Sequence, residues 1–375
     1  MIKTPFQEIF KTKYPIIQAG MGPYNTERLA TAVAKAGGLG LISTVGMGSF
    51  ELPGLGHFRY SAIFRDAPPS ELVTQSIEYV VDNLQDAPGA KFGVNIPVSE
   101  EFIPTASEII HTVIDLCKSR PDIRKKLQVI VTSAGDPLPW AKDPQGKMLP
   151  TSIAIKKELP YVIWCHVVPS VRAAKRVERA GADVVIASGR EGGAHCSWRD
   201  VSSMVLIPEV VKNVKLPVVA AGGFADGLSL AAALAMGAIG IQMGTRFIAT
   251  KESDFEPIWK EGLIKATEED TLVARGFFGP MRFLRNTRAI ELVNATLRDA
   301  PDLYRGIPTG SSDEIIKLEV SGLTNLFKGD YENTPILGGV VAGRIHDIPS
   351  VAELLKNIMA EAELQLRSIN KYLVK

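Results

Sequence analysis

The stretch from residue 217 to residue 250 constrains the fold of this chain most. It reads PVVAAGGFADGLSLAAALAMGAIGIQMGTRFIAT, which predicts an apolar strand, a Gly-Gly turn, a helix, a second apolar strand and another glycine turn. Strands that are apolar throughout are typical of a parallel sheet covered by helices. Gly222-Gly223 and Gly244-Thr245 follow these strands directly. Their backbone N–H groups favour a phosphate site, such as the one after strands seven and eight of a (β/α)8 barrel, over two ordinary tight turns.

Composition excludes several classes of protein. The chain has 375 residues, of which 46% are hydrophobic and 22% charged, as in an ordinary globular enzyme. A net charge of +1 predicts no broad surface for nucleic acid or for an anionic membrane. No apolar run suits a signal peptide or a membrane span, and the three cysteines lack disulfide-scaffold spacing. We expect a cytoplasmic protein with a small-molecule substrate and no nucleic-acid or membrane partner, and the sequence leaves a homodimer open.

Strand and helix patterns alternate along most of the chain, which predicts a parallel sheet with crossover helices. Eight βα units over about 250 residues match a (β/α)8 barrel better than a doubly wound open sheet. Strands are predicted at residues 16–19, 40–44, 92–97, 129–133, 162–167, 184–187, 218–221 and 239–243. The helices that follow them are predicted at residues 27–36, 70–84, 105–118, 151–158, 170–180 and 207–212. Gly- and Pro-rich segments interrupt this pattern at residues 45–69 and 136–150.

We divide the chain into three parts. The barrel core is predicted over residues 1–253, a mainly helical substrate-side region over residues 254–345, and a C-terminal helix that packs back on the barrel over residues 346–375. Beyond the barrel, helices are predicted at residues 255–266, 287–298, 311–319 and 350–372.

A glycine-rich loop with a histidine follows the sixth predicted strand. Residues 183–197 read DVVIASGREGGAHCS, in which Gly189, Gly192 and Gly193 permit a close backbone approach to a ligand. Histidine is the usual side chain for moving a proton near neutral pH, so His195 is the candidate catalytic residue. The alternative is a loop histidine with a structural hydrogen bond. Glu191 is either a second acid or base, or a carboxylate that braces the loop by accepting backbone N–H bonds.

Three other strand ends carry candidate ligand contacts. Small residues with free backbone N–H groups, 19–22 (AGMG), follow the first strand. Asn95 ends the third strand, where its amide would either face a heterocycle or form an Asx turn before Pro97. His166 ends the fifth strand, and because adjacent strand residues point to opposite sides, Cys165 and His166 cannot both face the barrel centre.

Other chemistries find little support. The pairs Cys165-His166 and His195-Cys196 suggest a metal site, but no CxxC, HxH or HExxH spacing accompanies them. Cys196 could act as a nucleophile, but the sequence shows no recognisable catalytic triad that would activate it. A Rossmann dinucleotide site lacks a GxGxxG that follows a strand and opens a helix. A cluster of arginines in GPMRFLRNTR, interpreted as a solvated helix face with an anionic ligand site as the alternative, comprises Arg282, Arg285 and Arg288.

Several ordered motifs resemble one enzyme family. PIIQAGMG, AKAGGLGLIS, FGVNIPV, AGADVVIASGREGGAH, PVVAAGGFADG and IQMGTRFIAT occur in this order, followed by GPMRFLRN and LGGVVAGRIHDIPS. Together they are similar to the nitronate monooxygenases, formerly called 2-nitropropane dioxygenases. The FMN-dependent enoyl-acyl-carrier-protein reductases and some NADH:quinone reductases share these motifs.

The resemblance implies an FMN-binding (β/α)8 barrel that oxidises alkyl nitronates with oxygen to a carbonyl compound and nitrite. The alternative is an NAD(P)H-dependent reductase of an enoyl thioester or a quinone, and a third reading is a non-catalytic FMN-binding role. His195 falls on the family's catalytic histidine, which removes the α-proton of a nitroalkane or assists the flavin reaction. The residues that the resemblance and the strand ends assign to FMN are Ala19, Gly20, Met21, Gly22, Asn95, His166, Ser188, Gly189, Gly192, Gly193, Ala221, Gly222, Gly223, Met243, Gly244 and Thr245.

Overall fold

Eight parallel strands form a closed barrel in the computed structural model, which describes residues 2–52, 56–59, 66–141 and 153–372. The strands are β1 (Ile16–Gln18), β2 (Gly40–Ser43), β3 (Phe92–Pro97), β4 (Leu127–Ser133), β5 (Ile163–Val168), β6 (Val184–Ser188), β7 (Val218–Ala221) and β8 (Gly240–Met243). Neighbours in sequence are neighbours in the sheet, and β8 pairs with β1. A parallel bridge between Ile17 and Leu39 closes the remaining gap between β1 and β2. The prediction of a (β/α)8 barrel is confirmed.

The inside of the barrel is a packed core. Alternate strand residues point inwards, among them Ile17, Cys165 and Val219. A short N-terminal helix, Pro5–Phe10, adds Phe6 and Phe10 to this core, where both rings are fully buried. The Thr4 hydroxyl that caps this helix also donates to the carbonyl oxygen of Ile239 at 2.6 Å. The helix therefore covers the amino-terminal end of the barrel.

Helices surround the barrel, and the sequence predicts all of them except Pro121–Lys126 and Thr245–Ile248. The helices are Glu27–Ala36, Pro69–Asn83, Ile103–Ser119, Pro121–Lys126, Ile155–Glu158, Val171–Ala180, Ser203–Asn213, Gly227–Ala235 and Thr245–Ile248. The helix after β6 is longer than the predicted 207–212, because it begins directly after the glycine-rich loop. None of the helices in the described part of the chain combines the length and apolarity that crossing a membrane requires.

The C-terminal helix, Val351–Ile369, packs on helix Gly227–Ala235. Glu361 accepts a hydrogen bond from the Gly227 N–H at 2.7 Å. A Cβ at Gly227 would lie 2.4 Å from the backbone nitrogen of Ala362, so only glycine permits this contact.

Parts of the two Gly- and Pro-rich segments fall outside the described residues. Within 45–69, strands Ser49–Leu52 and Gly56–Arg59 pair antiparallel, whereas residues 53–55 and 60–65 are not described. Of the loop 136–150 and the predicted helix 151–158, residues 142–152 are not described.

The segment after the barrel contains a hairpin that the sequence analysis missed. Helices Pro257–Lys265 and Thr287–Asp299 match predictions, and Asp313–Leu326 continues seven residues beyond the predicted end at Glu319. Between the first two helices, strands Thr271–Arg275 and Pro280–Leu284 pair antiparallel. The two residues Ala194–His195 add a third strand from the glycine-rich loop. The interpretation of Arg282 as part of a solvated helix face is wrong, because Arg282 lies on the central strand of this small sheet. The two strands are short, and they pair with a loop about 85 residues earlier in the chain. Such a pairing produces no pattern in the local sequence from which the strands could be predicted.

Candidate active site

One large cavity opens at the carboxyl ends of the barrel strands. Its volume is about 1330 Å³, above the usual range for a single small ligand. Every residue that the sequence analysis assigns to the site lines it: Ala19, Gly20, Met21, Gly22, Asn95, His166, Ser188, Gly189, Gly192, Gly193, His195, Ala221, Gly222, Gly223, Met243, Gly244 and Thr245. The region after the barrel adds apolar walls, including Trp259 and Phe283. The cavity therefore has a glycine-rich polar side and an apolar side.

The glycine turns after β7 and β8 present backbone donors to this cavity. Gly222 and Gly223 have φ angles of +82° and +85°, a conformation that favours glycine. A Cβ at Gly222 would also lie 2.6 Å from the carbonyl oxygen of Gly189. Among the described residues, the N–H groups of Gly223 and Gly244 have no hydrogen-bond acceptor. Convergent, unused N–H groups of this kind suit an anion such as a phosphate.

Asn95 places an amide against the same cavity. The residue is only 6% exposed, and Gly20 lies so close that a Cβ there would be 2.4 Å from the Asn95 Cβ. The side-chain amide forms no hydrogen bond with another described residue, so the Asx turn considered from the sequence is absent there. A nearly buried amide with a free donor and a free acceptor suits the edge of a heterocycle.

His166 holds the loop after β4 rather than pointing into the barrel. Cys165 lies in the barrel core, whereas His166 lies on the other face, as the alternation of strand residues predicts. The Trp164 Nε1–H donates to the Thr132 hydroxyl at 2.9 Å, so the hydroxyl proton is available to His166 Nδ1 at 2.7 Å. The Nε2–H then donates to the Gly135 carbonyl at 3.2 Å. Burial lowers the pKa of His166 to about 4, which keeps the ring neutral.

Glu191 braces the glycine-rich loop. Its carboxylate accepts the Ser203 N–H at 2.9 and 3.0 Å and the Ser203 hydroxyl at 3.1 Å. Ser203 is the first residue of helix Ser203–Asn213, so the carboxylate sits at the positive end of that helix. Of the two roles that the sequence left open for Glu191, the loop-bracing role is confirmed.

His195 lies at the open edge of the cavity, where it is solvent-exposed. The small sheet fixes its backbone, since Ala194–His195 pairs with Met281 and Arg282. Its ring centroid lies 6.0 Å from that of Phe278. His195 is thus held between the barrel loop and the region after the barrel, in contact with the space that a substrate would occupy.

Cys196, next to it, is poorly suited to nucleophilic attack. Burial raises the pKa of the Cys196 thiol, which disfavours the reactive thiolate. Among the described residues, no group of three or more His, Cys, Asp or Glu side chains is arranged to hold a metal ion.

The sequence analysis missed several cavity residues that lie beyond the barrel. Glu319 and Phe278 line the cavity. Gly339 does not line it, but its N–H donates to the hydroxyl of the lining residue Thr245 at 3.0 Å. A signal for Glu319 exists in the sequence: it falls on the apolar stripe of its helix, with Ile315, Ile316, Gly322 and Leu326. Phe278 has no local signal, because contacts with distant residues bring it to the site, whereas Gly339 lies in the motif LGGVVAGRIHDIPS.

Comparison with known proteins agrees with this geometry. Residues 3–361 match the model of a family described as nitronate monooxygenase. A protein of Staphylococcus aureus (strain MSSA476) named "Probable nitronate monooxygenase" is 28% identical over 328 residues, which cover 80% of this chain and 83% of that protein. The structure of FabK from Thermotoga maritima is similar over 100% of both chains, with a TM-score of 0.76 and 29% identity. A nitroalkane oxidase from Streptomyces ansochromogenes shares the fold, with a TM-score of 0.70 and 21% identity over 97% of this chain and 99% of that one.

Proposed function

This chain belongs to the nitronate monooxygenase family, and from that membership we propose that it oxidises alkyl nitronates with molecular oxygen to a carbonyl compound and nitrite. It is an FMN-dependent oxidoreductase, as are the members of the family and FabK. One observation carries the choice of substrate: His195 stands at the open edge of a cavity whose inner wall consists of glycine turns. A base at the entrance can act on a substrate without contacting the phosphate end of a cofactor.

The lining of the cavity fits FMN. We assign the phosphate to the unused N–H groups of Gly223 and Gly244, and the heterocycle to the free amide of Asn95. The absence of side chains at Gly20 and Gly222 lets these turns pack closely against Asn95 and the Gly189 backbone, which fixes the positions of the groups assigned to the cofactor. Bound FMN supplies the electron transfer and the reaction with oxygen, while the protein supplies binding, orientation and electrostatics.

We assign the proton chemistry to His195. With a neutral nitroalkane, its imidazole removes the α-proton as a general base. With a nitronate, which has already lost that proton, the protonated imidazole donates a hydrogen bond to the nitronate oxygens. The apolar walls from Trp259 and Phe283 would take the alkyl group of the substrate.

The alternative is an NAD(P)H-dependent reductase of an enoyl thioester or a quinone. The full-length likeness to FabK, an enoyl-acyl-carrier-protein reductase, supports it. A non-catalytic FMN-binding role is disfavoured by a histidine held at the cavity edge. A cytoplasmic location and a homodimer stay predictions from the sequence.

Anaerobic stopped-flow mixing distinguishes the two enzyme functions. The holoenzyme is mixed with an alkyl nitronate in one experiment and with NADH or NADPH in another, and the flavin absorbance is followed. We expect the nitronate to bleach the flavin within the turnover time and the nicotinamides to do so far more slowly. Rapid bleaching by a nicotinamide, with no spectral change on adding the nitronate, would establish the reductase instead.

A further inference from the structure

A buried acid stands on the cavity wall opposite the barrel. Glu319 belongs to helix Asp313–Leu326, and it is 5% exposed and lines the cavity. Buried carboxylates are rare and need hydrogen-bond donors. Burial raises the pKa of Glu319 to about 7, against the opposing effects of the hydrogen bond from the Phe277 N–H and of the Arg275 guanidinium.

The carboxylate of Glu319 anchors the turn of the hairpin. It accepts a hydrogen bond from the Phe277 N–H at 2.6 Å, within the turn 276–279 that joins strands Thr271–Arg275 and Pro280–Leu284. A Cβ at Gly276 would lie 2.8 Å from a Glu319 carboxylate oxygen. The Met281 sulfur would lie closer still, at 2.2 Å, so a larger residue at position 276 would push against both Met281 and Glu319.

The same turn carries an aromatic cluster that reaches His195. The rings of Phe277 and Phe278 lie 4.1 Å apart, and Phe278 lies 4.4 Å from Phe102 of the barrel and 6.0 Å from His195. Glu319 is therefore connected to His195 through one hydrogen bond, a four-residue turn and one ring contact.

The other neighbours of Glu319 define its electrostatic surroundings. Ile316 and Val320 of its own helix are apolar, and they belong to one apolar cluster with Phe102, Phe277 and Phe278. Arg275, on the strand that enters the turn, is the charged group that acts on the carboxylate, and it also donates to the Phe277 carbonyl at 3.1 Å and to the Thr309 carbonyl at 2.9 Å. Glu319 is thus an ionisable group in direct contact with this turn, whose charge changes near neutral pH.

We infer that Glu319 is a positioning residue, whose protonation state sets how firmly the turn 276–279 holds Phe278 against His195. An ionised carboxylate binds an N–H group more strongly than a protonated one. The turn is therefore tighter above the midpoint of the Glu319 titration and looser below it. The inference rests on the proposed role of His195 in the reaction, but the position of Phe278 can be measured without any substrate.

The test is a pH titration of histidine ring signals by NMR, on the holoenzyme labelled with carbon-13 at the histidine Cε1. A His195→Gln variant assigns the His195 signal among the five histidines. In the unsubstituted protein we expect a step in the His195 shift with a midpoint near pH 7, in addition to the titration of His195 itself. In Glu319→Gln, which stays neutral and keeps an acceptor for the Phe277 N–H, this additional step should be lost. Glu314→Gln, an exposed charge change on the same helix, should keep it.

A second variant distinguishes an effect of Glu319 that acts through the position of Phe278 from a direct electrostatic effect of Glu319 on His195. In Phe278→Leu the additional step should be absent, and adding Glu319→Gln should change nothing further. Persistence of the step in Glu319→Gln, or an undiminished effect of Glu319→Gln in the Phe278→Leu background, would overturn the inference. If the steps behave as expected but nitronates are not oxidised, the inference holds and the proposed function fails.

Discussion

The guanidinium of Arg282 donates two hydrogen bonds to the carbonyl oxygen of Arg190, at 2.9 and 3.3 Å, and so joins the hairpin beyond the barrel to the glycine-rich loop that carries His195. A third bond, from Arg282 to the Thr271 hydroxyl at 2.9 Å, fixes the guanidinium to the neighbouring strand. His195 therefore depends on two parts of the chain that are far apart in sequence.

Arg282→Met should weaken this junction. The Arg190 carbonyl and the Thr271 hydroxyl would lose their donor in a partly buried place, which costs about 1–3 kcal/mol of the free energy of unfolding. We expect a lower urea midpoint and lower turnover. Arg285→Ala, an exposed arginine of the same GPMRFLRNTR segment, is the matched control and should change the free energy of unfolding by less than about 0.5 kcal/mol. Equal effects of the two substitutions would contradict the structural role of Arg282.

Gly244→Asp should abolish FMN binding by charge. The residue has a φ of −108°, which any side chain adopts, and a Cβ there would meet the Met21 sulfur at an acceptable 3.4 Å. A carboxylate at this position would repel the phosphate that the backbone donors attract. Gly244→Asn has nearly the same size without the charge and should retain much more of the bound flavin. The flavin content of each variant, after purification and after reconstitution with FMN, measures the retained binding. Similar losses of flavin in the two variants would argue against a phosphate at this turn.

His195→Ala should lower turnover by roughly two to four orders of magnitude while FMN stays bound. The loss should be larger with a neutral nitroalkane than with its nitronate, because only the nitroalkane still has the proton to remove. Steady-state rates with both substrates and the flavin absorbance check this. His111→Ala, at an exposed position on helix Ile103–Ser119, serves as the control and should leave turnover unchanged. Near-normal rates in His195→Ala would leave the residue a structural role only.

Acidification should destabilise the fold through His166. Its pKa is about 4 in the folded protein and about 6.5 when unfolded, so between these values the unfolded state binds the extra proton. The stabilisation is complete above about pH 6.5 and is lost as the pH falls to about 4, by up to about 3 kcal/mol. Urea unfolding of the unsubstituted protein and of His166→Gln, at several pH values, measures this loss of unfolding free energy. If the difference in unfolding free energy between the two proteins does not vary with pH, His166 is not the group responsible for the destabilisation.

The barrel strands could be predicted from the sequence because each is a local signal. A run such as Val218–Ala221 is buried on both faces, so its apolar composition alone identifies it as a strand. The glycines that follow it indicate where the backbone turns. Because parallel strands end at one face, the positions of Gly222, Gly244 and His195 in the sequence already bring them to one side of the molecule. The structure places all three on one cavity, and their individual roles stay predictions.

Only the tertiary structure determines which residues lie opposite the carboxyl ends of the barrel strands. Arg282 is typical of a charged helix when it is considered with its neighbours in sequence, but a hairpin pairing with Val273 and a long-range pairing with Ala194 place it in a strand. Glu319 and Phe278 reach the cavity only after the hairpin has folded over the barrel. Likewise, the orientation of His166 follows from its bonds to Thr132 and Gly135, more than 30 residues away in each case. Local composition determines secondary structure and hence the barrel, whereas contacts between distant segments, which depend on packing and on buried hydrogen bonds, determine the surroundings of His195.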